Sequence, residues 1–386
     1  MNTAFWLSLV VFLLSLGLLL YLAGGVRKVR WLSAISPELG DNPPKVSIIF
    51  AALNEADTIE PALRSVLALD YPNLEIIAIN DRSTDATGEI LDRIGRAHPA
   101  LRVLHIKELP VGWLGKNHAL QRGAEMATGD YLLFTDADVV FAPTAMRRAV
   151  FHCERERLDH LVVMAEFIVR EHLLAMLLIN GSIFMFATLR PWKLRTSASA
   201  YMGIGAFNMV RASAYRQAGG HRLLALEVID DLMLGRLMKT KGFSQDAVFG
   251  YGMVAVEWYR SAMDMVRGLE KNSFAMMDYR VSRLLVATVL ILLVRYWPWV
   301  GLFVTSGATW WLCVAGLVLN LILVVGLLRP TGWSLRCLVY WPFAPLLSLL
   351  MLWRGVMLTL MRGGIYWRGT RYPLGELVRA RRGRTG

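Results

Sequence analysis

A chain of 386 residues is long enough for two or three domain-sized units, but 55 % hydrophobic and only 19 % charged residues, with a mean hydropathy of +0.43, exclude an ordinary soluble α/β protein. Lys and Arg total 42 against 30 Asp and Glu, a formal net charge of +12. The placing of that charge points to a membrane surface rather than to nucleic acid: seven arginines (Arg362, Arg368, Arg371, Arg379, Arg381, Arg382 and Arg384) fall in the last 25 residues, opposed only by Glu376, directly after an apolar run.

In chain order, residues 4–26 form an uncharged stretch of 23 residues, enough for a helix to cross a hydrocarbon core of roughly 30 Å. Arg27, Lys28 and Arg30 follow it at once, unlike a signal peptide, whose basic residues come first. The positive-inside rule then puts the N-terminus outside and the chain from Arg27 onward in the cytosol. Residues 45–282 alternate strand and helix patterns, as expected for a parallel sheet in a Rossmann-like α/β layer. Strands are predicted over 46–51, 74–79, 103–106, 131–134 and 161–164. Helices are predicted from Ile59, Leu63, Val66 and Leu67 at helical spacing, and over 85–94 and 116–127. The uncharged run 173–189 reads as an interfacial or core helix, because a full crossing would separate the acidic motifs before and after it. Three apolar blocks close the chain: 284–294, interrupted by Arg295; 296–328; and 337–361, carrying Arg354. A cytosolic tail then requires an even number of crossings, and the short block ending at Arg295 is the one expected not to cross. Cys153, Cys313 and Cys337 lack metal-ligand or redox spacing and read as reduced and buried.

The chemistry is carried by acids at the ends of predicted strands. Tyr131-Leu-Leu-Phe-Thr-Asp136-Ala-Asp138 runs an apolar strand into two carboxylates. At the edge of an open α/β sheet both can reach the ligand crevice, where hard oxygen ligands suit magnesium or manganese holding a diphosphate. Alone, Asp-X-Asp also serves as a strand-ending turn. Asn54-Glu55 closes the first strand and Asn80-Asp81-Arg-Ser-Thr-Asp85 the second; Asp81 is placed to accept from a nucleobase or ribose, and Asp85 to cap the next helix. Gly112-Trp-Leu-Gly115-Lys116 sets a lysine at a helix start, where it can face phosphate, without the spacing of a P-loop. Asp230-Asp231 opens an apolar helix, where one of the pair can act as general base toward an acceptor hydroxyl. No Ser-His or Cys-His arrangement offers a covalent route.

The ordered set Asn54-Glu55, Asp81-X-Ser-X-Asp85, Gly115-Lys116, Asp136-X-Asp138 and Asp230-Asp231, spread over about residues 45–245, resembles the inverting family 2 glycosyltransferases of GT-A fold. Ile365-Tyr-Trp367-Arg368-Gly-Thr-Arg371-Tyr372 is similar to the Trp-Arg-X-X-Arg-Tyr stretch of ceramide glucosyltransferases. The Gly-Trp-Leu-Gly-Lys and Ile-Asp-Asp wording is closer to hopanoid-associated glycosyltransferases. The resemblance implies that Glu55 and Asp81 hold uridine, and that Lys116 reaches the diphosphate. It further implies that Asp136 and Asp138 bind the nucleotide-sugar and a magnesium or manganese ion, and that Asp231 is the catalytic base, with Asp230 where the family usually has Glu. The Gln-X-X-Arg-Trp motif of processive members is absent after Asp231; Arg260, Lys271, Arg368 or Arg371 can supply the missing positive charge.

The expectation is therefore an N-terminal transmembrane helix (1–30), a cytosolic GT-A domain (45–282), membrane helices (283–361) and a basic cytosolic tail (362–386), in a bacterial inner membrane. The implied activity is transfer of a hexose, glucose foremost, from a UDP-sugar to a lipid hydroxyl. A processive polysaccharide synthase or a non-catalytic membrane scaffold is the alternative.

Overall fold

The computed structural model describes residues 2–382; Arg384 and the side chain of Arg382 lie outside the description. In chain order the regular elements are α1 (Thr3–Val26), β1 (Arg30–Trp31), β2 (Val46–Ala52), α2 (Ile59–Leu67), β3 (Leu74–Asp81), α3 (Thr87–Ala97), β4 (Leu101–Ile106), α4 (Gly115–Met126), β5 (Tyr131–Asp136), β6 (Val140–Phe141), α5 (Ala145–Glu156), β7 (His160–Met164), β8 (Glu166–Phe167), α6 (His172–Leu189), β9 (Asn208–Arg211), α7 (Ala212–Ala218), α8 (Asp230–Thr240), β10 (Gln245–Phe249), β11 (Val254–Val256), α9 (Ala262–Met276), α10 (Val281–Ile291), α11 (Trp297–Val304), α12 (Gly307–Leu328), α13 (Ala344–Met361), β12 (Gly364–Trp367), β13 (Thr370–Pro373) and α14 (Leu374–Arg382). They form two compact units. One comprises residues 29–168 and 189–258; the other comprises 1–28, 169–188 and 259–386.

The first unit is a GT-A fold, a Rossmann-like α/β layer on an eight-stranded sheet of order β1-β10-β7-β9-β5-β2-β3-β4. Ile48, Ile49, Ile76, Ile77, Leu132 and Leu133 are fully buried, and the central strands read as unbroken apolar runs because both faces are covered. Helix α4 lies close on β2 and β3 because Gly123 has no side chain: a Cβ there would stand 2.5 Å from Ile49 Cγ2 and 2.8 Å from Ile79 Cδ1. The sheet is mixed rather than parallel throughout, since β9 runs antiparallel to both β5 and β7. Four residues are too few to announce a strand by periodicity, so this reversal leaves no mark in the sequence. A small second sheet, β6-β11-β8, adjoins the segment after Asp138.

In the second unit α1 packs along α12, and α9 along α13. Polar side chains tie the apolar helices together: Trp297 Nε1 donates to Ser8 Oγ (2.9 Å), and Arg295 Nη1 to Asn320 Oδ1 (2.9 Å). Arg295 does not break its helix. A π turn at Leu292–Tyr296 carries the chain through it, and the interruption falls instead at Thr305-Ser306-Gly307, where Gly307 takes φ +60°. Up to residue 382 the arginine-rich segment is folded. Strands β12 and β13 form a hairpin and α14 follows; Arg381 pairs with Asp278 (2.7 Å), Arg362 with Glu270 (2.5 Å), and the Lys271 ammonium stands 3.8 Å over the Trp367 ring.

Five helices among the described residues are long and apolar enough to cross a membrane: Thr3–Val26, His172–Lys193, Val281–Val304, Gly307–Thr331 and Ala344–Met361. The second meets that measure of length and composition, yet sheet topology argues against a full crossing. Strand β9 follows α6 in the chain and pairs with β5 and β7, which precede it. A crossing by α6 would divide one hydrogen-bonded sheet between two sides of a membrane.

Candidate functional site

Strands β5, β2 and β3 are parallel neighbours, with Ala51 opposite Asp136 and Ala52 opposite Asn80. Their C-terminal ends therefore share one edge of the sheet, where ligands of open α/β sheets bind. The two connecting loops are laced together there. Asn54, at φ +57°, accepts from Thr84 N through Oδ1 (2.8 Å) and donates its main-chain N–H to Ser83 Oγ (3.1 Å). Asp85 accepts from Thr87 N at the head of α3 (3.0 Å) and from Ala56 N (3.1 Å). Burial would raise its carboxyl, and these bonds outweigh that and hold it below the usual range. Glu55 Oε2 accepts from Thr58 Oγ1 (3.1 Å).

Asp81, the last residue of β3, is buried and engaged on both oxygens by its neighbour: Arg82 Nε to Oδ1 at 2.8 Å and Nη2 to Oδ2 at 3.0 Å. Arg82 reaches back from φ +60°. This pair presses on the start of α4, where a Cβ on Gly115 would collide with Arg82 and stand 2.6 Å from Asp81 Oδ2. Gly115 is thus glycine because an ion pair occupies its side-chain space.

Lys116, the next residue, projects among three acids. Its Nζ lies 2.7 Å from Asp136 Oδ1 and 3.8 Å from Asp230 Oδ2. Burial alone would lower this ammonium's pKa; Asp136, Asp230 and Asp231 more than reverse that and hold it protonated. Asp138 lies in the opposite balance. Burial first, then the charges of Asp136 and Glu55, push its carboxyl up to about 7. Asp136 is hemmed in by Gly205, whose Cβ would fall 2.5 Å from Oδ2.

Asp230 and Asp231 begin α8. Asp231 Oδ2 accepts from Gly205 N (2.8 Å) and Oδ1 from its neighbour Leu232 N (2.8 Å). Burial drives its carboxyl above the ordinary range, with Asp136 adding to the rise and Lys116 and the two amides opposing it. The loop before β9 fits against this helix only through glycines: a Cβ on Gly203 would strike Asp231 O, and one on Gly235 would strike Met202 O. A shallow crevice is bounded by Lys116, Phe134, Gly205, Asn208, His221, Asp230 and Asp231.

Lys116, Asp136, Asp230 and Asp231 thus converge, Asp138 and Glu55 join them electrostatically, and Asp81 closes the neighbouring strand. Arg368 and Arg371 stand on the hairpin of the other unit, Arg371 donating to Arg362 O (3.1 Å). The sequence does not single out Arg82, whose short-range signal is only its adjacency to Asp81; Asn208 closes the stretch Gly203-Ile-Gly205-Ala-Phe-Asn208, which resembles an acceptor-side loop but whose paired glycines also suit an ordinary turn. Among the described residues no group of three or more His, Cys, Asp or Glu is gathered as a metal-ligand set. The donor chemistry still fits a hard divalent cation: Asp136 and Asp138 offer oxygen ligands, and the burial and neighbouring negative charge that raise the Asp138 carboxyl are what a bound cation would offset.

This mixed sheet, with acids at its parallel strand ends, is a Rossmann-like fold of the GT-A type. Residues 47–217 match the family model Glycosyl transferase family 2. Over 143 residues it is 32 % identical to the probable glycosyltransferase YdaM of Bacillus subtilis, covering 36 % of this chain and 34 % of that one. Over 95 residues it is 40 % identical to a poly-beta-1,6-N-acetyl-D-glucosamine synthase of Staphylococcus epidermidis, covering 25 % and 22 %. The matched segments are therefore a third or less of these relatives' lengths. Among solved structures, the mannosyltransferase PcManGT of Pyrobaculum calidifontis, in complex with GDP-Man and Mn2+, superposes with a TM-score of 0.54 at 17 % identity. It covers 93 % of this chain and 99 % of that one, a likeness of fold.

Proposed function

We propose that this protein is a membrane-embedded, divalent-metal-dependent glycosyltransferase that moves a hexose from a UDP-sugar to a lipid hydroxyl with inversion. The observation that carries the reading is the convergence of Asp136 and Asp230 on the Lys116 ammonium, with Asp231 beside them, at the carboxyl edge of the sheet. Asp136 and Asp138 would hold the cation, which supplies charge neutralisation for the departing diphosphate. The Lys116 ammonium, fixed in its protonated form by three acids, lies ready to exchange Asp136 for a phosphate oxygen. Asp81 would accept from the nucleoside with Arg82 adjusting, and Glu55 sits on the adjoining loop. Asp231 takes the proton from the acceptor hydroxyl: its amide bonds orient the carboxylate, and burial raises its proton affinity toward that of an effective base. Burial first, and then the charge of Asp136, raise it.

The lipid acceptor is supported by the apolar helices within the same chain. The named similarity to a poly-N-acetylglucosamine synthase favours a second reading, transfer to a growing polymer. Purified protein incubated with UDP-sugars and membrane lipids should give one β-linked glycolipid from an α-linked donor; a ladder of lengthening products would establish the second reading instead. Asp231→Asn should lose roughly 10²- to 10⁴-fold in turnover while still binding donor. Near-normal transfer by that variant would remove Asp231 from the mechanism.

A further inference from the structure

Three polar side chains with no part in that transfer step lie fully buried beside the head of α8. Gln245, His160 and Asn208 are 0 %, 0 % and 1 % exposed, and they stand on the adjacent strands β10, β7 and β9. Gln245 Oε1 accepts from Met202 N (3.0 Å), which fixes the sense of its amide, so that Nε2 faces His160 Nδ1 at 2.5 Å. Nδ1 must then be the acceptor, and Nε2 carries the ring proton and donates to Asn208 Oδ1. Asn208 is thereby turned to donate from Nδ2 to the main-chain oxygen of Asp231 (3.1 Å). Gln245 Nε2 also reaches Met202 O (3.1 Å) and Gly235 O (3.2 Å), stitching the loop of residues 202–205 to α8. That loop is the one whose Gly205 N–H meets Asp231 Oδ2.

We infer that His160 is a positioning residue for glycosyl transfer: through Gln245 and Asn208 it fixes both the main chain of Asp231 and the loop that aims the Asp231 carboxylate. The inference rests on the reading of Asp231 as the base. A relay of this kind has one direction of donation from end to end, so a single protonation state of His160 satisfies it. A second ring proton would meet the Gln245 amide hydrogens head-on. Burial agrees with this, pulling the imidazole down to about 4 and keeping it neutral at ordinary pH. Two apolar side chains in place of His160 and Gln245 could fill the same space without desolvating polar groups; what they could not do is orient Asn208.

The test compares His160→Phe, His160→Gln and Asn208→Ala with the unaltered full-length protein in lipid nanodiscs, measuring turnover, KM for the UDP-sugar and UDP binding by calorimetry. His160→Phe and Asn208→Ala are expected to lose on the order of 10- to 100-fold in kcat, with donor KM and UDP affinity held within about twofold. His160→Gln, which retains a donor toward Asn208, should recover part of the loss. Unchanged kcat in folded His160→Phe and Asn208→Ala overturns the inference, and so does a loss expressed equally in donor affinity. Should His160→Phe fail to fold, the smaller Asn208→Ala carries the same expectation. Asp231→Asn run in parallel separates the two ideas. If it retains transfer, the base assignment falls; if it is inactive while His160→Phe and Asn208→Ala turn over normally, only the positioning role falls.

Discussion

Asp138 shows how a single carboxylate can report on its surroundings. Its pKa is raised from 3.8 to about 7, so between those values the folded chain holds a proton that the unfolded chain has released. Stability should therefore fall as pH rises through that window and level off above it. Thermal unfolding of metal-free protein between pH 4.5 and 8 should show this decline, and Asp138→Asn should flatten it. Manganese added near pH 7.5 should raise the unfolding temperature of the unaltered protein more than that of Asp138→Asn. Equal gains in both would separate Asp138 from cation binding. The acids themselves were legible in the sequence, because each follows a recognisable apolar strand. The rise at Asp138 was not, since it depends on burial in the folded layer and on Asp136 and Glu55, the latter some eighty residues upstream, lying near it.

Among the elements, α4 sets helix propensity against the needs of a site. Alanine is the better helix former by about 1 kcal/mol, so Gly115→Ala read from propensity alone should be harmless or stabilising. The Asp81–Arg82 ion pair occupies the space a methyl group would enter. The expected outcome is therefore an unfolding temperature little changed and UDP affinity weakened by about tenfold, or ~1.4 kcal/mol; intact affinity would show that the pair yields without cost. Helix α6 supports a second expectation. Cysteines placed at Arg170 and Thr196, before and after it, should react with an impermeant reagent from the same side of the membrane, and opposite reactivity would contradict the pairing of β9 with β5 and β7. Most helices and strands could be placed from periodicity and from strand-ending acids. The reversal at β9 and the buried Gln245-His160-Asn208 chain could not, because each depends on partners that only the folded sheet makes adjacent.

For the whole molecule, crossing parity carries the argument. If α6 stays on one side, three candidate spans remain after the first unit: Val281–Val304, Gly307–Thr331 and Ala344–Met361. Three crossings would carry the hairpin with Arg368 and Arg371 away from the side on which Asp136, Asp230 and Asp231 lie, and two would return it. A cysteine at the exposed Glu376 should label from the same side as one at Thr196, as Arg368 or Arg371 must if either supplies the positive charge that the absent Gln-X-X-Arg-Trp motif would bring; labelling from opposite sides would withdraw both arginines from that role. The sequence announced the apolar blocks but misplaced their joints, since Arg295 is absorbed by a π turn and an asparagine on a distant helix, while the true break falls at a glycine-bearing turn.

The second unit is assembled from three separate stretches of chain, and the middle one, residues 169–188, lies inside the segment that matches the family. Its polar anchors are far downstream: Asn180 bonds Ser348 (2.9 Å), and Glu171 accepts from Ala262 N (2.7 Å). The catalytic layer therefore cannot be excised by cutting at its two ends. A fragment of residues 29–258 would carry an apolar helix stripped of its partners and should associate or precipitate, whereas the same fragment with 169–188 replaced by a short polar linker should stay dispersed. During synthesis the same arrangement imposes a wait, because that helix is made well before the residues that cover it.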